Sequence, residues 1–254
     1  MKAFPFVGVL FLVCCLSFCA HAQEGIKDYN KGMGHMSQGQ FQQALASFHQ
    51  GIERNDIAKS VNHYGRAYAQ FELGNLEEAQ ADIAQSLLTE PINAEDINSA
   101  IYWLRGMLAN AMGDVNLEVE SYEKALLYTP KENRLKTTLG FAYIQQQSYE
   151  KALTTLTEAL QADDADAYAY NNRALAHLKM GQLKKAKSDL EHSKAIDPDN
   201  PFLYKHYFFY HQQLGEQAEA CQALGQALGK KMGEYGEASD TEELLSLQKA
   251  HCGS

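Results

Sequence analysis

The sequence predicts an all-α protein built from a repeated pair of helices, and three observations lead to this fold class. Ala, Leu, Gln and Glu are plentiful, while only 5 of the 254 residues are proline, a composition that favours helices. Small and apolar residues recur with a period of about 34 residues. Glycines and prolines recur where consecutive helices would end.

The repeat is clearest in two segments that lie 107 residues apart. Arg66-Ala67-Tyr68-Ala69 and Leu73-Gly74 align with Arg173-Ala174-Leu175-Ala176 and Met180-Gly181. Each copy is followed at the same distance by an alanine (Ala79, Ala186) and a proline (Pro91, Pro198). This many matches at fixed offsets indicate a true internal repeat.

Six consecutive units follow from this frame, with predicted boundaries 25–58, 60–93, 99–132, 133–166, 167–200 and 201–234. The pattern resembles the tetratricopeptide repeat (TPR), and the resemblance covers nearly all of the chain after residue 22. It implies that each unit is a helix A, a short turn and an antiparallel helix B. It also implies a right-handed superhelical solenoid of about six helix-turn-helix units over 23–234, followed by a capping helix and tail over 235–254.

Three departures from the repeat are expected to matter locally. Glu118 stands where a small residue is expected in helix B of unit three, which predicts a shifted or displaced helix. Phe208 replaces a small residue in unit six. Residues 94–98 are extra and are expected to widen the loop before unit three.

The segment after unit six predicts one more amphipathic helix. Ser239 and Asp240 are typical of a helix start, and Leu244, Leu245 and Leu247 supply an apolar face. Repeat arrays need a terminal element that covers the last open apolar face. This helix is therefore predicted to be a cap that packs on Phe208.

The N-terminus has the three-part pattern of a secretory signal peptide over residues 1–22. Lys2 is followed by an apolar run over 6–18, and small residues precede a cleavage site after Ala22. The run is shorter than the roughly 20 residues that a membrane-spanning helix needs, so a retained anchor is less favoured. The third possibility is lipidation at Cys19, although Phe18 is bulky where that site requires a small residue. The protein is thus expected in the bacterial periplasm, at the cell envelope or outside the cell.

Cys221 and Cys252 are the two cysteines that remain after leader cleavage. Two cysteines in an exported protein tend to pair. Cys221 falls on helix B of unit six and Cys252 follows the capping helix, so a disulfide would hold the cap on the last repeat. The alternative is a buried Cys221 and a free Cys252 in a frayed tail.

Charge and motif content argue against several classes of function. A net charge of −10 disfavours nucleic acid, whose phosphates need cationic contacts, and an anionic membrane surface. Membrane association is expected only through a lipid on Cys19 or a retained leader. No Cys-x-x-Cys, His-Glu-x-x-His or Gly-x-Ser-x-Gly motif occurs. Since the repeats fill the chain, no catalytic residue, metal or cofactor is expected, and an enzyme or metal-binding protein is a remote alternative.

The resemblance also predicts where a partner binds, because TPR geometry places helix A on the concave side. The inward positions are rich in aromatic residues, methionine and amides, which suit an adaptable contact surface. The predicted groove residues are Tyr29, Met33, Met36, Tyr64, Tyr68, Trp103, Met107, Asn110, Phe141, Tyr168, Asn171, Asn172, Lys205 and Phe209.

The basic clamp by which some TPR domains hold a C-terminal carboxylate is not reproduced. Thr137, Phe141 and Phe202 stand where its lysines and arginine would be needed, although Asn172 fits. The expected partner is therefore an extended or helical segment of an unidentified protein or peptide. The leading hypothesis is a non-enzymatic binding scaffold or adaptor, and the alternative is a structural subunit of an envelope or outer-membrane assembly.

Overall fold

The computed structural model describes residues 24–54, 58–88, 95–230 and 238–253, and all regular secondary structure in these ranges is helical. The predicted signal peptide, including Cys19 and the cleavage site after Ala22, lies outside the described residues. None of the helices within the described ranges is long and apolar enough to cross a membrane. The all-α fold class is confirmed.

The described helices form six consecutive pairs and a final single helix. The pairs are α1 (24–36) with α2 (Phe41–Glu53), α3 (Lys59–Glu72) with α4 (Leu76–Leu88), α5 (Glu95–Ala111) with α6 (Val115–Tyr128), α7 (Asn133–Gln145) with α8 (Tyr149–Ala162), α9 (Ala167–Lys179) with α10 (Leu183–Ile196), and α11 (Pro201–Leu214) with α12 (Gln217–Leu228), and the single helix is α13 (Ala238–His251). In each pair the first helix is helix A of a repeat and the second is helix B.

The chain divides into two compact units, Met1–Pro130 and Lys131–Ser254. In the first unit α3 packs against α2, α4 and α5. In the second unit α9 packs against α7, α8, α10 and α11, and α13 packs against α12. Each unit is therefore a stack of three helix pairs, and the second unit carries the additional C-terminal helix.

In repeats one, three and four, a glycine on helix A faces a large side chain 16 positions later on helix B. The pairs are Gly32 with Phe48, Gly106 with Tyr122 and Gly140 with Leu156. A Cβ atom on Gly140 would lie 2.5 Å from Cγ of Leu156, which is too close for packed carbon atoms. The missing side chain on helix A therefore makes room for the large one on helix B.

The turn between the two helices of a repeat uses a residue in the left-handed conformation. Five repeats have a glycine there, namely Gly39, Gly74, Gly113, Gly181 and Gly215. The fourth repeat has Gln147, with a φ of 64°. Because a Cβ atom disfavours this conformation, the fourth repeat keeps the turn at a cost in stability.

The third repeat differs from its prediction in two ways. Residues 95–98 of the expected insertion are helical and not loop, because α5 begins at Glu95 and runs for 17 residues; residue 94 lies outside the described residues. The carboxylates of Glu95 and Asp96 lie in its first turn, where negative charge favours a helix N-terminus. Helix α6 packs along α5 with Glu118 buried, and Asn110 Nδ2 donates to Glu118 Oε1 at 3.2 Å. That amide accommodates the carboxylate at a position where a small residue was expected, although burial still raises the pKa of Glu118.

Helix α13 covers the end of the last repeat. Phe208 and Leu244 are both buried in one apolar cluster with Leu224. Cys221 and Cys252 form a disulfide, with their Cα atoms 5.5 Å apart. The large Phe208 therefore fills the space between the last repeat and its cap.

Candidate functional site

In the first unit, several predicted groove residues belong to the apolar core. Tyr64 is buried with Ile83 in one cluster, and Tyr29 and Tyr68 pack against it. Tyr29 and Met33, together with Met36, also pack against the neighbouring cluster around Phe48. Burial raises the pKa of Tyr64, which keeps its hydroxyl neutral. The predicted contact role of Tyr64 is therefore corrected, because its ring fills space between helices.

Helix α5 presents the remaining predicted residues of the first unit. Trp103 and Met107 are half-buried, and Asn110 is exposed. The amide of Asn110 is already engaged by Glu118. Trp103 and Met107 are thus the predicted residues of this helix that keep an open apolar surface.

In the second unit, Phe141 and Tyr168 are 39% and 45% exposed. Asn172 is half-buried. Asn171 is buried instead, and its Oδ1 accepts a hydrogen bond from His206 Nδ1 at 2.8 Å. Burial, together with the nearby positive charge of Lys205, lowers the pKa of His206 to about 3. Asn171 is therefore corrected from a groove residue to the buried partner of a neutral histidine.

Lys205 is tied to the capping helix through an ion pair with Glu243. Phe209 lines a pocket of about 300 Å³ between α9 and α11. The lining residues are Leu175, Leu178, Lys179, Phe209, Gln212 and Gln213. They form two triplets that occupy the same three positions of helix A in adjacent repeats, 34 residues apart. The pocket therefore arises where two consecutive A helices pack side by side.

The pocket combines an apolar floor with a polar rim. Leu178 is almost fully buried, and its carbonyl accepts a hydrogen bond from Gln213 Nε2 at 3.3 Å. Lys179 Nζ lies 6.0 Å from the centre of the Phe209 ring, within range of a cation–π contact. Within the described ranges, no carboxylate lies within ion-pair distance of Lys179.

Sequence reasoning found Phe209 but missed the other five lining residues. Their spacing of i, i+3 and i+4 on two helices is visible in the sequence, and the predicted groove residues Met107 and Asn110 occupy two of the same repeat positions. What the sequence did not show is which side chains leave space between the helices. That depends on the sizes of the residues that face one another.

Two ion pairs hold helix A to helix B at matching places in repeats two and five. Arg66 donates two hydrogen bonds to Asp82, both at 2.7 Å. Arg173 donates two to Asp189, at 2.8 and 2.7 Å. Both carboxylates are buried, so these charged groups serve the fold. Among the residues that the structure describes, no three His, Cys, Asp or Glu side chains converge as a metal site.

Family models of the tetratricopeptide repeat match this chain at residues 29–96, 99–132 and 167–200, and a TPR repeat model matches residues 140–181. Two of these segments, 99–132 and 167–200, have the same bounds as predicted repeat units. Together the matches span most of the first compact unit and about half of the second.

Curated relatives and a solved structure are similar over larger parts of the chain. Hsp70-Hsp90 organizing protein 1 of Glycine max is 25% identical over 178 residues, which is 66% of this chain and 29% of that protein. DnaJ homolog subfamily C member 3 of Gallus gallus is 26% identical over 232 residues, which is 85% of this chain and 44% of that protein. The chain thus spans less than half the length of these relatives.

A tetratricopeptide repeat protein from Parabacteroides merdae has the same fold, with a TM-score of 0.72 at 17% identity. The match covers 90% of this chain and 86% of that one. The helix pairs, the glycine turns and the family matches agree, and we conclude that this chain belongs to the tetratricopeptide-repeat family.

Proposed function

We propose that this protein is a non-enzymatic adaptor that binds a protein or peptide through helix A faces of its repeats. The observation that carries the proposal is the open pocket between α9 and α11. Its lining combines three apolar residues with three polar ones, and ligand sites likewise combine carbon surface with polar groups that fix orientation. Phe141 and Tyr168, on helices α7 and α9 of the same unit, add exposed aromatic area, which is typical of contact surfaces.

The curated relatives support the same class of function. One is named an organizing protein for Hsp70 and Hsp90, and the other a DnaJ homolog. A repeat fold serves many unrelated partners, so the partners in those names do not define the partner of this chain. The property that we propose to be shared is protein binding.

The proposed location is the bacterial periplasm or cell envelope. The signal-peptide pattern over residues 1–22 supports export. The disulfide between Cys221 and Cys252 supports an oxidising compartment. A lipid on Cys19 or a retained leader would add membrane attachment to the same function.

Site-specific photo-crosslinking in cells tests the proposal. A photoreactive residue replaces Trp103 in one variant and Phe209 in a second, so that each compact unit carries a probe on helix A. Leu127, 80% exposed on helix B of repeat three, carries the probe in the control. We expect one dominant protein adduct from at least one helix A probe and none from the control.

One observation favours the alternative function, a structural subunit of an envelope assembly. Leu88 and Leu127 are 75% and 80% exposed and occupy the same position of helix B in repeats two and three. Large exposed apolar residues are typical of contact sites. Adducts from position 127 alone would support this function and contradict binding through helix A.

A further inference from the structure

The pocket between α9 and α11 contains a positive charge that the described protein does not neutralise. Lys205, on α11, is paired with Glu243. Lys179 contacts the Phe209 ring and has no carboxylate partner in the described ranges. The neutral side-chain amides of Gln212 and Gln213, which can donate or accept hydrogen bonds, line the same pocket as Lys179. Among the described residues, the ammonium of Lys179 is therefore not balanced by a carboxylate.

The charge of Lys179 is not a requirement of the repeat. Lys179 lies in the last turn of α9, where a cation is favoured by the helix dipole. Repeat two, however, has Glu72 at the same position, in the last turn of α3. Helix A of a repeat in this chain therefore forms with either a positive or a negative residue at this position. Lys179 is thus not needed for the helix and is available to a ligand.

The polar groups around the pocket match a carboxylate. The ammonium of Lys179 donates hydrogen bonds and accepts none. Gln213 Nε2 donates a hydrogen bond to the Leu178 carbonyl. The Gln212 side chain makes no hydrogen bond within the described ranges, whereas its backbone carbonyl accepts one from Gly215. An ammonium and a neighbouring amide N–H can share the two oxygens of one carboxylate, and hydrogen bonds with such charge assistance are the strong ones.

The apolar part of the pocket matches an aliphatic arm that carries this carboxylate. Leu175, Leu178 and Phe209 supply carbon surface beside Lys179. The pocket volume of about 300 Å³ lies at the lower end of the range for ligand pockets. The second unit also contains 14 of the 22 lysines and arginines, so the acidity of the chain lies mainly in the first unit.

From this geometry we infer that the pocket binds a glutamate side chain within a peptide segment of the partner, with its methylenes on the leucines and its carboxylate on Lys179. The inference rests on the proposed function and names the partner residue at that site. An internal glutamate is chosen over a chain terminus because Thr137, Phe141 and Phe202 replace the basic residues of the terminal-carboxylate clamp.

An NMR titration of the full isotope-labelled chain with three short peptides tests this inference. The probes are acetyl-Leu-Glu-Leu-amide, acetyl-Leu-Gln-Leu-amide and acetyl-Leu-Gln-Leu with a free C-terminal acid. We expect shifts of amide signals on α9 and α11 with the glutamate peptide. The glutamine peptide should bind about tenfold more weakly, as the loss of a charged hydrogen bond predicts.

Three variants localise the effect. Lys179→Met should remove the preference for glutamate over glutamine, while Lys184→Met, which removes an exposed lysine on α10 outside the pocket lining, should retain it. Leu175→Tyr introduces the residue of repeat two and should block all three peptides by filling the pocket. An unchanged preference in Lys179→Met would overturn the inference.

Two further results would also overturn it. Equal binding of the glutamate and glutamine peptides to the natural chain would show that the pocket does not recognise a side-chain carboxylate. A response only to the peptide with the free acid would show that it recognises a chain terminus. If no peptide binds while the helix A photo-probes still give an adduct, the inference fails and the adaptor function stands. If those probes also fail, the adaptor function fails as well.

Discussion

Repeats two and five have the same internal frame but different outward residues. In both, an arginine on helix A donates two hydrogen bonds to an aspartate 16 positions later on helix B. The aspartates, Asp82 and Asp189, are buried in their respective units. The charged frame therefore recurs because it fixes one helix against the other.

The outward positions of the same two helices differ in size and charge. Repeat two has Tyr68, Phe71 and Glu72, and both of its rings pack against the core cluster of the first unit. Repeat five has Leu175, Leu178 and Lys179, which line the open pocket of the second unit. The comparison teaches that side-chain size at these positions decides whether a repeat face is filled or left available.

The ion pairs also differ in their third partner. In repeat two, His63 Nδ1 lies 2.8 Å from Asp82 Oδ1. In repeat five, His177 Nδ1 lies 2.9 Å from Gln182 Oε1, and burial lowers the pKa of His177. The Nε2 atom of His177 lies 3.8 Å from Asp189 Oδ2. The arginine–aspartate geometry is therefore the same in the two repeats, whereas the histidine lies closer to the aspartate in repeat two.

The largest expected effect comes from emptying the core of one unit. Phe48→Ala should lower the free energy of unfolding by about 3–5 kcal/mol, and Leu156→Ala by about 2–5 kcal/mol, since each leaves a cavity against a glycine. Hydrogen exchange read by mass spectrometry should rise mainly in the unit that carries the substitution, because repeats contact only their neighbours. Equal acceleration throughout the chain would contradict this division into units.

The disulfide is expected to matter next, and only for the second unit. Cys252→Ser opens a link between residues 31 positions apart and should cost about 3 kcal/mol in chemical denaturation. Reduction of the natural protein is the matched control and should give the same loss. Faster exchange in α13 and α12, with the first unit unaffected, is the expected pattern.

Asp82→Asn tests the contribution of the ion pair in repeat two. Burial by itself raises the pKa of Asp82, but hydrogen bonds from His63 and Arg66 outweigh it and the pKa is lowered. The folded state then binds fewer protons than the unfolded one. The resulting stability is complete above the unfolded pKa, about 3.9, and is lost as the pH falls through the lowered pKa.

The substitution should therefore cost about 1–3 kcal/mol at pH 7, as expected for a carboxylate hydrogen-bonded to charged groups. The cost should shrink in acid, where Asp82 of the natural chain is protonated as well. Urea unfolding of both proteins at pH 7 and pH 3 measures this. A loss that stays constant between the two pH values would contradict the charge-based explanation.

The smallest expected effect is a gain at the turn of repeat four. Gln147→Gly removes the Cβ atom from a left-handed residue and should stabilise the second unit by about 0.5–1 kcal/mol, since the relief of strain exceeds the added chain entropy. Gly181→Ala at the equivalent turn of repeat five is the reciprocal variant and should destabilise. Thermal unfolding of both variants provides the measurement.

The fold was accessible from the sequence because its signals are local and repeated. The period of the small residues and the glycine turns predicted the repeat, and the resemblance to the tetratricopeptide repeat implied the helix pairs. Leu244 with Phe208 predicted the packing of the last helix. The prediction that residues 95–98 are loop was wrong. The repeat pattern marks them as an insertion, but the carboxylates of Glu95 and Asp96 favour a helix N-terminus, and α5 begins there. The candidate site was predicted less well. Phe209 was found, whereas Tyr64 and Asn171 turned out to be buried.

By itself, the sequence determined which residues share a helix face, because the helical period places positions i, i+3 and i+4 together. Only the tertiary structure decided which face meets which neighbour. Tyr68 packs against a core cluster while Leu175, at the same repeat position, lines a pocket. The physical reason is that a cavity depends on the combined volume of side chains from two helices, and the period of one helix contains no information about the other.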